Sequence, residues 1–105
     1  MRRVNESLRE VLAAAITTEM KDPRIGFVTV TDVDTSPDLR AARVYVSVLG
    51  SDAERESAME GLNSAHGFLQ GKIASEMRIK RTPTLSFHYD ESVERGVRLS
   101  ELLDE

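Results

Sequence analysis

Apolar residues recur at helical spacing through the first twenty positions. Val4, Leu8, Val11, Leu12, Ala15 and Ile16 share one face, with Arg2, Arg3, Arg9 and Lys21 outside it, which predicts an amphipathic helix over residues 4–20. Pro23 cannot continue that helix and biases Asp22 toward an extended backbone, so Asp22-Pro23-Arg24 reads as a connector. The period then changes. Ile25 to Thr31 is rich in β-branched residues and too short for a helix, predicting a strand over 25–33. Thr35-Ser36-Pro37-Asp38 is a turn signal, because Pro37 presets φ. In a second strand over 40–49, Val44, Val46 and Val48 alternate with Arg43, Tyr45 and Ser47, giving one buried and one exposed face. So short a connection predicts an antiparallel hairpin.

Gly50 ends that strand. Ser51, followed three residues later by Glu54, has the form of a capping box and starts a helix over residues 52 to about 65. Phe68, Leu69, Ile73 and Met77 carry helical spacing on to about residue 77. The small residues and glycine of Ser64-Ala65-His66-Gly67 predict a break or kink between the two stretches. After Thr82-Pro83, Leu85, Phe87 and Tyr89 alternate with Thr84, Ser86 and His88, a third strand. Asp90 can cap a last stretch holding Val93, Val97, Leu99, Leu102 and Leu103, a short helix or a partly mobile tail. The order is helix, strand, strand, helix, break, helix, strand. It predicts an α+β fold, with a three-stranded sheet covered by helices on one face.

The length, 105 residues, fits one domain, divided as a folded body over 1–90 and an acidic segment over 91–105. Net charge is −4, which taken whole argues against a nucleic-acid partner. The distribution changes that inference. Residues 90–105 hold six acids and two bases, so the tail carries the entire deficit and residues 1–89 are neutral. Cysteine is absent, excluding disulfides, thiolate metal sites and cysteine nucleophiles. The longest apolar run, Val11 to Ile16, is too short for a membrane span or a signal core, so a cytoplasmic protein without membrane contact is expected. Five aromatics and no tryptophan argue against a broad base-stacking platform.

The densest basic cluster is Arg78-Ile79-Lys80-Arg81, preceded by Lys72. Taken alone, it is a solvated helix end where bases complement the dipole. A helix restarting at Gly67 adds free backbone N–H groups, an anion site wherever approach is unhindered, although an isolated Ala-x-Gly is more often a plain turn. Enzymatic patterns are poor. Ser86, His88 and Asp90 share a strand face, but i and i+2 positions lie roughly 6–7 Å apart along a strand, and neither a nucleophile elbow nor an oxyanion hole is evident. His66 and His88 are the only histidines, and no ligand spacing suggests a metal.

Several segments together resemble one family. They are Arg3-Val4-Asn5-Glu6-Ser7-Leu8, the run from Asp22-Pro23-Arg24-Ile25 to Val33, Ser36-Pro37-Asp38-Leu39, Ala42 to Val48, Arg78 to Phe87 and Asp90-Glu91-Ser92. The chain is similar over nearly its whole length to bacterial ribosome-binding factor A. That resemblance implies a single type II KH-like domain in the order α-β-β-α-kink-α-β. Ala65-His66-Gly67 matches the family's Ala-x-Gly kink, which stands where ordinary KH domains carry a Gly-x-x-Gly clamp. It further implies a non-enzymatic factor without cofactors. Such a factor binds the small ribosomal subunit and its rRNA late in maturation, supports processing of the rRNA 5′ end and matters most in the cold. The resemblance also implies a functional link to an assembly GTPase in its release. Members often carry a longer C-terminal extension, expected here to be short or cut away at Glu105.

The expected rRNA-binding residues are Ser64, Ala65, His66, Gly67, Lys72, Arg78, Lys80 and Arg81. Arg2, Arg3, Arg9, Arg24 and Arg43 form a second rank, because sequence does not show which of them share a face with the cluster. The rival expectation is a protein-binding module without direct RNA contact; a hydrolase built on Ser86 is a distant third. A monomer is expected.

Overall fold

The computed structural model describes residues 2–20, 25–79 and 81–91. Helix α1 (Arg2–Ala14) buries Leu8 and Leu12 completely and runs into one wider turn, Ala15–Glu19. That turn is closed by the Met20 N–H donating to the Ala15 carbonyl at 3.0 Å, a five-residue π span in place of the α-helical four. Strand β1 (Phe27–Thr35) starts and ends two residues later than the sequence pattern suggests. Its partner β2 (Ala41–Leu49) sets those limits. Phe27 faces the last residue, Leu49, so Ile25 and Gly26 have no strand opposite them. The pairing is antiparallel, with a bulge at Thr31 between Val30 and Asp32. The intervening turn is held by polar side chains. Asp38 Oδ1 accepts from the Ser36 hydroxyl at 2.7 Å and from the Arg40 N–H at 3.1 Å. Those two bonds, the hydroxyl first, hold the Asp38 carboxyl below its ordinary pKa.

Helix α2 (Asp52–Ser64) opens on the expected capping box, in which Ser51 Oγ accepts from the Glu54 N–H and the Glu54 carboxylate accepts from the Ser51 N–H. One residue, Ala65, leaves helical geometry (φ −89°, ψ 9°) and α3 (His66–Glu76) follows. Hydrogen bonding still crosses the kink: the Ala65 N–H donates to the Gly61 carbonyl and the Leu69 N–H to that of Ala65, both at 3.0 Å. Strand β3 (Thr84–Tyr89) then pairs parallel to β2, giving the sheet order β1-β2-β3. A parallel neighbour needs a long crossover, and α2 with α3 supplies it. The order is the α-β-β-α-kink-α-β expected from periodicity.

The helices cover one sheet face. Val30, Val33, Ala42, Val44, Val46, Leu85 and Phe87 point into the core, where they meet Leu8, Leu12, Ile16, Leu62, Leu69 and Ile73. Phe68 corrects the expected stripe: it is 45% exposed, while Leu69 is fully buried. Leu69 and Ile73, four residues apart, align with Leu62 toward the sheet. Phe68 is turned about 100° from them by the helical period. Residues 92–105, and with them nearly all of the acidic segment, lie outside the described residues.

This phase has a measurable consequence. Leu69→Ala should destabilise the domain by about 2–5 kcal/mol, as for other buried leucines. Phe68→Ala should cost less than half as much, because much of that ring is already in water. Urea unfolding of the two variants checks the order, and equal losses would contradict the placement of Phe68.

Candidate nucleic-acid interface

The kink is built around the free edge of β3. Strand β2 occupies one side of β3, and α3 lays side chains along the other. His66 Nε2–H donates to the Leu85 carbonyl at 2.9 Å, and its ring meets Phe87 edge-on at 6.4 Å. One helical turn later, Gln70 does the same work twice. Its Oε1 accepts from the Leu85 N–H at 2.6 Å, and its Nε2 donates to the Pro83 carbonyl at 3.0 Å. Both backbone groups of Leu85 are thus satisfied by side chains, and the strand edge is closed at that residue. His66, expected to touch rRNA, is committed to β3. Gln70 is absent from the residues that the sequence singles out. A polar residue four positions from His66, between buried Leu69 and Ile73, is the signal that points to it.

Around this clamp, Ser64 and Gly67 are exposed and Ala65 is half-buried. The space where a side chain at Gly67 would project is empty. The first turn of α3 therefore offers bare backbone at Gly67 to solvent. It begins one residue earlier than expected, at His66.

Ion pairs separate the candidate cations into two groups. Lys72 Nζ sits 2.7 Å from Glu19 and 3.0 Å from Glu76, and its side chain is only 23% exposed. These contacts, Glu19 first, raise its pKa above 10.5 and neutralise it locally. Arg43 is held by Asp34 at 2.8 Å on the open sheet face, and Arg2 by Glu6 at 3.5 Å. Arg3, Arg9, Arg78 and Arg81 are exposed and have no ion pair among the described residues. Arg24 and Lys80 lie outside them.

Three of the unpaired arginines, Arg3, Arg78 and Arg81, are brought toward one end of the molecule. The Asn5 side chain near the start of α1 accepts from the Thr35 N–H at 3.1 Å, and the Thr84 N–H donates to the Arg40 carbonyl at 3.0 Å. The start of α1, the β1–β2 turn and the start of β3 therefore meet there. Arg81 precedes β3 by three residues, and its charge reaches Asp38 in the turn. Arg3 and Arg78 line the two walls of an open cleft of about 410 Å³ between α1 and the exit of α3. Arg9 lies in a neighbouring groove beside Arg2, Glu6 and Asp32. The open sheet face is different in kind. A concavity there gathers Asp32, Asp34 and Asp90 around Tyr45, a surface that repels phosphate.

Ser86 and His88 approach more closely than their spacing along the strand suggests. Ser86 Oγ and His88 Nε2 share a hydrogen bond of 2.9 Å, because both side chains stand on the open face and lean together. Asp90 Oδ2 accepts from the Thr31 hydroxyl at 2.6 Å across the sheet. Ser86 and His88 are both exposed, and Ser86 lies within a strand, not on a nucleophile elbow. Among the described residues no cluster of three metal-ligating side chains occurs.

Comparison with known proteins gives consistent matches. The family model described as ribosome-binding factor A matches residues 1–103. A crystal structure of ribosome-binding factor A from Thermus thermophilus superposes with a TM-score of 0.75 at 30% identity, covering 84% of this chain and 93% of that one. A solution structure of a Thermotoga maritima protein, described as a putative ribosome binding factor A, gives 0.74 at 35% identity and 83% of both chains. Coordinates of the Thermus thermophilus factor fitted into a cryo-EM map of a 30S complex give 0.69 at 30% identity, covering 83% of this chain and 91% of that one.

The side-chain geometry can be tested at two positions. Gln70→Ala strips the Leu85 N–H of its partner, and thermal or urea unfolding should register a loss of about 1–3 kcal/mol. Lys72 carries a pH signature. Its folded pKa is raised, so its stabilisation is complete below 10.5 and falls away as pH rises through the folded value. Lys72→Met should lack that alkaline loss, which urea titrations from about pH 9 to about pH 11.5 would read. Parallel pH dependence in the variant and the parent would contradict the pairing.

Proposed function

The chain belongs to the ribosome-binding factor A family, and from that premise we propose that it binds the small ribosomal subunit late in its maturation, contacting rRNA through phosphates and shape. The observation that carries this reading is the fit of a relative at 30% identity into a map of a 30S complex. We read the domain as type II KH-like, and the factor as non-enzymatic, without a cofactor, cytoplasmic and monomeric. Support of rRNA 5′-end processing, importance in the cold and release with an assembly GTPase belong to the same proposal.

The distribution of free charge supports a particular face. Arg3, Arg78 and Arg81 are the cations ready to meet phosphate, while Arg9 shares a separate groove with Glu6 and Asp32. The kink at Ser64, Ala65 and Gly67 allows a phosphate group close approach to the bare main chain at Gly67. Lys80 and Arg24 remain candidates by sequence. Arg43 and Lys72 have carboxylates to leave before they could contribute, and that exchange cancels much of the gain.

A second reading, a protein-binding module without direct RNA contact, draws on Phe27 and Leu49. These residues face each other across β1 and β2 and are 78% and 75% exposed.

The two readings separate by salt. Binding to purified small subunits should weaken steeply as salt is raised. Arg3→Ala, Arg78→Ala and Arg81→Ala should each flatten the log–log slope by about 0.7–0.9, while Arg43→Ala and Lys72→Met leave it unchanged. An unchanged slope and affinity in the triple arginine variant would remove this face from the interface. A salt-insensitive affinity that is lost on substituting Phe27 and Leu49 would favour the protein-binding reading.

A further inference from the structure

The cleft between α1 and the exit of α3 differs from the two other concavities described above in combining apolar surface with unpaired positive charge. Val4 and Val11 of α1 and Met77 and Ile79 beyond α3 are half-buried and supply its floor. Arg3 and Arg78 stand at opposite walls, exposed and without an ion pair among the described residues. At about 410 Å³ the cleft falls within the ~300–1,000 Å³ typical of small-ligand sites. The groove on the other side of α1 holds Arg9 and Arg2, the latter paired with Glu6, but its lining is polar apart from Val33, and the open-face concavity is acidic.

We propose that this cleft seats one unpaired nucleotide of rRNA, its base on the apolar floor and its phosphate between Arg3 and Arg78. This rests on the rRNA-binding reading and names the ligand class of one part of that interface. A free phosphate would use the arginines and leave the floor in water. A base-paired helix offers phosphates and 2′-hydroxyls, while its base faces are stacked away. An unpaired nucleotide presents both an anion and an apolar face in one ligand, the two features the cleft combines. Ser7, Glu10 and Glu76 complete the lining, and Glu76 is already paired with Lys72. The oxygens of Ser7 and Glu10 can accept from base amino groups, and the Glu10 charge keeps the phosphate at the arginine end.

Nitrogen-15 NMR titrations of the full chain with AMP and with inorganic phosphate test the seat. AMP should shift the amides of residues 3–11 and 77–79 and bind about tenfold or more tightly than phosphate, a factor equal to about 1.4 kcal/mol. Ser7→Trp, which fills the cleft from its α1 wall, should abolish the advantage of AMP and leave the phosphate response in place. Should that variant fail to fold by circular dichroism, Ile79→Asn removes floor instead of filling it and should give the same result. AMP binding no tighter than phosphate, or AMP shifts lying elsewhere, overturns the proposal. The parent reading is judged separately, by the salt slope of small-subunit binding with Arg81→Ala, a residue outside the cleft. A steep parental slope flattened by Arg81→Ala, with no preference for AMP, rejects the nucleotide seat and leaves rRNA binding standing.

Discussion

The geometry of the whole helical layer hangs on two side chains laid against one strand edge. Among the described residues β3 pairs with β2 on one side only, and no further strand satisfies the other. His66 and Gln70 meet the N–H and carbonyl of Leu85 and the carbonyl of Pro83. They can do so only if α3 starts at a fixed point and leaves at a fixed angle. The single non-helical residue, Ala65, is where α2 yields to that demand. The direction of α3 then carries Lys72 to Glu19 and delivers Arg78 opposite Arg3. A polar clamp on a backbone edge therefore decides where the basic surface lies.

Electrostatics in this domain is a matter of pairing more than of totals. Carboxylates hold Lys72, Arg43 and Arg2, while Arg3, Arg9, Arg78 and Arg81 extend without such partners among the described residues. A protein of net charge −4 can present cations to a polyanion when its acids are gathered elsewhere. Asp32, Asp34 and Asp90 occupy the open sheet face. The domain is thus polarised, with a face that repels phosphate and an end that attracts it.

Most of the element order is legible because burial imposes a period. Alternation in Ala42, Val44 and Val46, helical spacing in Leu8, Leu12 and Ile16, and the Ser51–Glu54 capping box each name a local geometry that the fold adopts. The departures are equally local. Phe68 fits by spacing an apolar stripe that Leu69 and Ile73 alone satisfy, because an exposed and a buried aromatic carry the same letter. Strand β1 shifts by two residues because its limits belong to its partner. Backbone spacing argues against the Ser86–His88 contact, whereas side-chain lean closes it. The candidate site is legible as a set of residue types and illegible as a surface.

Sequence by itself determined the α+β order, the place of the kink, the absence of thiol chemistry and the placing of the net negative charge in residues 90–105. These depend on neighbours a few positions apart, where periodicity and φ/ψ preference act. Tertiary structure alone decided which arginines are paired, that Gln70 closes the edge of β3, and that Arg3 faces Arg78 across a cleft. Each of those facts joins residues distant along the chain, as Lys72 and Glu19 are. Only the crossing of α3 over α1 sets such distances, and no local pattern encodes them.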